Sequence, residues 1–179
     1  SDQDLEDILD ILIQNNNSIK YLKVNKNQFL NKNNNQEFMD IAAKRNYAIE
    51  NSSGEYIAIM DDDDYYFPDN LMAKVRILKH IKLKCCFSMP YGVYNISRKT
   101  SHIVGDCKKI TDGQVPEASL FFKKEFWEKT NFKHKFENKN GKGNSRLGES
   151  YGLVHGREKH TINIPFWINL ITLTHLTNE

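Results

Sequence analysis

Ile57-Ala58-Ile59-Met60-Asp61-Asp62-Asp63-Asp64-Tyr65-Tyr66-Phe67-Pro68-Asp69-Asn70-Leu71 decides how the rest of this chain is read. A continuous apolar run stops at four consecutive carboxylates, and a Pro-started helix follows. An apolar run of this length reads as a strand buried on both faces, the usual setting of a parallel strand in an α/β sheet. Ligands of such sheets bind beyond the carboxyl ends of the strands. Four adjacent acids repel one another unless a cation sits among them. A hard divalent ion held by oxygen ligands, and shared with substrate phosphates, meets that need. The competing reading is a solvated acidic loop, the usual fate of an acid run. The strand directly before and the helix directly after favour a metal–diphosphate site. It is not an EF-hand loop, which needs a Gly at its sixth position and a Glu at its twelfth, and the stretch supplies neither.

Working outward, Phe38, Ile41, Ala42, Arg45 and Ile49 share one helical stripe, and Gly54 stands just beyond its end. Pro68 opens a second helix whose apolar stripe is Leu71, Met72, Val75 and Leu78. Upstream, Leu5, Ile8, Leu9 and Leu12 repeat at helical spacing, which predicts a helix over residues 4–14. A short strand follows at 19–24, then an Asn/Lys-rich loop at 25–36. Downstream, residues 85–89, 91–96, 119–122, 161–164 and 168–173 read as strands, and 133–146 as a Lys/Asn/Gly loop. Trp127 and Trp167 read as core, with stacking against a sugar ring as the alternative.

Composition sets bounds. A chain of 179 residues is long enough for a core, and its length fits one domain over 1–179. A formal charge of +2 with dispersed Lys pairs gives no basic stripe, so nucleic acid is not an expected partner. Three Cys, two of them adjacent at Cys85 and Cys86, make neither a disulfide framework nor a zinc spacing. They fit a reducing, cytoplasmic setting. No run reaches transmembrane length.

Four stretches in order carry a resemblance. They are Ala42-Ala43-Lys44-Arg45-Asn46-Tyr47-Ala48-Ile49, Ser53-Gly54-Glu55-Tyr56-Ile57, Asp61 to Asp64, and Pro68-Asp69-Asn70-Leu71. Together they resemble a family 2 glycosyltransferase of the GT-A fold. Looser matches follow at Ala118 to Lys129, at Gly148-Glu149-Ser150 and at His175. The resemblance implies a GT-A-like, mixed and mostly parallel sheet flanked by helices. It implies a nucleotide-sugar donor, UDP-linked, and Mn2+ or Mg2+ as cofactor. Lys44, Arg45, Asn46, Asp61 and Asp62 would then lie on the donor, with Asp61 toward the ribose and nucleobase. Asp63 would bind the metal, supported by Asp62 and Asp64, and His175 would be a further ligand, imidazole suiting Mn.

The same resemblance implies an acceptor base from an acidic pair at the start of a late helix. Here that pair reads Glu149-Ser150, and a Ser cannot act as base without its own activator. Glu149 is the remaining candidate. The chain opens at Ser1-Asp2-Gln3-Asp4, which resembles the end of the loop that follows the family's second strand, so the leading strands are expected to be missing. A sheet without them would expose edges and favour self-association. The expected function is a metal-dependent glycosyl transfer to a glycan, protein or lipid acceptor. The alternative is a non-catalytic remnant or pseudoenzyme binding module of the same fold.

Overall fold

The computed structural model describes Lys20, Leu22 and residues 41–105, 115–132 and 150–174. The readings at 4–14, 25–36 and 133–146 lie outside the described residues, as does that at 19–24 apart from Lys20 and Leu22, and so does the expectation about leading strands. Contacts divide the chain into two units, Ser1–Met39 and Asp40–Glu179, and all elements below belong to the second.

Helix α1 spans Ile41–Glu50 and buries Ala42 and Ile49, the stripe read from the sequence. Ile41, placed on the same stripe, is exposed at the first turn. Strand β1, Tyr56–Ala58, follows. Ile57 and Ile59 enter a core built with Phe87, Leu120, Phe122, Phe126 and Leu153. Tyr56 and Ala58 pack on the other side against Leu78, Cys86, Phe121 and Ile164. Both faces of the run are therefore packed, as its apolar continuity requires. Its direction differs from expectation. β1 runs antiparallel to β6 (Phe121–Lys123), with Ile57 opposite Phe122. Apolar continuity reports burial on two faces and carries no information about the neighbour's direction.

The first sheet has the order β1-β6-β3-β7, with β3 at Cys85–Phe87 and β7 at Thr161–Asn163. The second has the order β2-β8-β4-β5, with β2 at Tyr65–Tyr66, β4 at Tyr91–Asn95, β5 at Thr100–Val104 and β8 at Leu170–Thr174. Both sheets are mixed. The parallel majority expected is not found among the described residues: only β3–β7 and β4–β8 run parallel. The reason is local for β4 and β5. They form a hairpin, and the Asn95 side chain accepts the Arg98 N–H at 2.7 Å in its turn. Strand β5 had no apolar alternation to announce it and is mostly exposed.

Helix α2, Asn70–Ile81, starts two residues after Pro68 and ends at Lys82 in the left-handed region. It buries Asn70, Lys74 and Leu78, while Leu71 and Met72 are exposed. The face turned inward is thus one position away from the stripe the sequence proposes. Two short helices, α3 (Lys124–Lys129) and α4 (Ser150–Val154), follow among the described residues. Trp127 is core, as read. Trp167 is not: it is 63% exposed on the turn Phe166–Ile168, edge-on to Phe166.

Candidate active site

The four acids lie between β1 and β2, so they form the link from the first sheet to the second. Two side chains, of Arg45 and Tyr66, and one backbone N–H, of Leu173, reach them. Arg45, on α1, sets its guanidinium 3.3 Å from an Asp61 carboxylate oxygen. The Asp61 N–H donates to the Tyr66 phenol oxygen at 2.8 Å, and that phenol donates to the Ala118 carbonyl at 3.3 Å. The Leu173 N–H of β8 donates to Asp64 at 3.2 Å. These bonds tie the acid loop to α1, to the turn Glu117–Ser119 and to the last strand.

The electrostatics follow. Burial pushes the Asp64 carboxyl up to about 6, the Leu173 N–H opposes the shift, and the charges of Asp63 and Asp61 add to it. Tyr66 is raised by burial and by the same acids. Tyr91 is raised by burial and then by the charges of Glu117 and Asp64. Asp62 and Asp63 are exposed.

The donor-side residues separate. Arg45 reaches the cluster and Lys44 is exposed. Asn46 is engaged in packing: its amide nitrogen donates to the Phe132 carbonyl at 2.9 Å, and its oxygen accepts from the Trp127 indole at 2.8 Å and the Phe132 N–H at 3.1 Å. Glu149 and His175 lie outside the described residues. Their flanks are described. Ser150 is fully buried, with its hydroxyl donating to the Val115 carbonyl at 2.8 Å and its N–H donating to Glu117 at 3.1 Å. Thr174 ends β8, which pairs antiparallel with β2 and so runs toward the acids. Tyr66, Tyr91 and Glu117 belong to the site without having been read from the sequence. No local pattern marks them, because only the fold brings them to the acids.

Among the described residues, no three His, Cys, Asp or Glu side chains converge as a ready metal cage. The donor chemistry still fits a hard divalent ion, which takes one or two carboxylates and completes its shell with phosphate oxygens and water. Asp64 is raised chiefly by burial, and the neighbouring charges of Asp63 and Asp61 add to it.

Two mixed sheets flanked by helices, with acids at the end of β1, are consistent with a GT-A-like fold. The sequence model of glycosyl transferase family 2 matches residues 1–83, a match consistent with a family 2 glycosyltransferase. A search of curated proteins returns no match. That family implies a nucleotide-sugar donor. Among the described residues no helix is long and apolar enough to cross a membrane.

Proposed function

We propose that this chain is a metal-dependent glycosyltransferase that moves a sugar from a UDP-linked donor to a glycan, protein or lipid hydroxyl. The observation that carries the reading is the convergence of Arg45, Tyr66 and Leu173 on Asp61 and Asp64 at the end of β1. Asp63 would hold Mn2+ or Mg2+, with His175 as a second ligand. Bound there, the ion neutralises the charge developing on the diphosphate leaving group. The chain's own groups have other tasks. Arg45 fixes Asp61, and Asp61 would then offer a held carboxylate to the ribose. Tyr66 locks the acid loop against Ala118. Two reduced, buried thiols, Cys85 and Cys86, fit a reducing intracellular setting.

A second reading is favoured by Ser150. Its hydroxyl is spent on Val115 inside the fold, so the position that should supply the base supplies a packing contact. On that reading the domain binds donor without turning it over. Calorimetric titration with UDP tests the first claim. Affinity should require Mn2+, Asp63→Ala should abolish it, and His175→Ala should weaken it less. Mn-independent binding, or unchanged binding in Asp63→Ala, contradicts the metal–diphosphate site.

A further inference from the structure

We propose that Glu117 is the carboxylate that takes the proton from the acceptor hydroxyl. The proposal rests on the glycosyltransferase reading above and names a residue for its unassigned step. Three observations converge. Ser150 cannot serve, because it is fully buried with its hydroxyl donating to the Val115 carbonyl. The N–H of the same residue donates to Glu117 Oε1 at 3.1 Å, so a carboxylate from a segment 33 positions earlier stands beside the place where an acid is lacking. The turn carrying Glu117 is also coupled to the acid loop. The Ala118 carbonyl accepts from the Tyr66 phenol, and that phenol accepts from the Asp61 N–H. Glu117 is half-buried, so it is held and still reachable.

The step balances without a further reactant. The acceptor oxygen bonds to the anomeric carbon of the donor as its proton passes to Glu117. The bond from that carbon to the β-phosphate oxygen breaks. The nucleoside diphosphate departs with the electron pair. A base placed this way contributes about a hundredfold or more to such a step.

A Gln at this position separates the chemistry from the packing. Its amide oxygen still accepts the Ser150 N–H, so a merely structural Glu117 tolerates Glu117→Gln. The full chain is assayed with Mn2+ and UDP-glucose or UDP-N-acetylglucosamine, reading UDP release with water as acceptor. UDP affinity and melting temperature are measured beside it. Glu117→Gln should keep both and lose release by about a hundredfold or more. Near-wild-type release in Glu117→Gln, or the large loss in Glu149→Gln instead, overturns the assignment. Should Glu117→Gln lower the melting temperature, Glu117→Asp decides: it keeps a carboxylate and must retain more activity than Gln, and the reverse order overturns the proposal. Wild-type protein that binds UDP and releases none from either donor refutes the base alone. Wild-type protein that binds no UDP refutes the proposed function itself.

Discussion

The two helices that flank the acid strand solve the same problem in opposite ways. Helix α1 carries its polar groups to partners: Asn46 makes three hydrogen bonds to Trp127 and Phe132, and Arg45 meets Asp61. Helix α2 turns polar groups inward and leaves some of them without partners. The Lys74 ammonium and the Asn70 side-chain oxygen are buried with no hydrogen bond. The nearest aid to Lys74 is the Phe121 ring, 5.9 Å from its nitrogen. Leu71 and Met72, apolar neighbours on the same helix, face outward. A polar group inside a fold stabilises when it is satisfied and costs when it is not. By that rule α1 fixes the frame of the site, and α2 stores an unfavourable contact.

The sharpest test of this contrast is Asn46→Ala. It strands the Trp127 indole N–H and both backbone groups of Phe132, which should cost about 2–4 kcal/mol in chemical denaturation. A loss under half a kcal/mol would mean that α1 is not the anchor described. Lys74→Met should do the opposite. It replaces an unpaired buried ammonium by an apolar chain of similar shape and should stabilise by about 1–3 kcal/mol. Destabilisation would show that Lys74 has found a partner in solution.

The pH dependence follows from the same residue. Burial lowers Lys74 from the ordinary lysine value of 10.5 to about 8. Below about 8 the ammonium is charged in both states, and its full penalty is present. Between about 8 and 10.5 the unfolded chain holds the proton and the folded chain has lost it, so the Lys74 contribution to stability rises with pH. Cys86 beside it, pushed by burial from 9.0 up to about 12, works in the opposite sense above about 9, where the unfolded thiol ionises and the folded one does not, and it does so in both the wild type and Lys74→Met. The wild type should therefore gain on Lys74→Met as pH rises from 8 to 10.5, closing the difference between them. A constant difference would refute the titration. The smallest effect belongs to Arg45→Gln. The ion pair is partly exposed, so stability should change by less than about 1 kcal/mol. UDP affinity should still fall, because Asp61 loses its brace.

Much of this was legible in the residues. The acid run, the α1 stripe and the buried character of residues 57–59 are local patterns, and local patterns survive folding. Strand direction was not legible, because two packed faces look alike beside a parallel or an antiparallel neighbour. The inward face of α2 was misread because Leu71 and Met72 outweigh Lys74 on any hydrophobic count, and only the packing against Phe121 and Cys86 decides otherwise. Glu117, Tyr66 and Tyr91 were invisible for a different reason. Their chemistry depends on where the chain returns, and a lone Glu after a Pro carries no sign of it.

The central claim is that the carboxylates at the end of β1 take a divalent ion together with a diphosphate. Electron paramagnetic resonance of Mn2+ reads this directly, since the free-ion signal falls as the ion is bound. With UDP present, wild-type protein should remove the signal beyond what UDP removes alone, and Asp63→Ala should leave it at the UDP-only level. Equal loss of signal in both proteins, or no loss in either, would contradict the account.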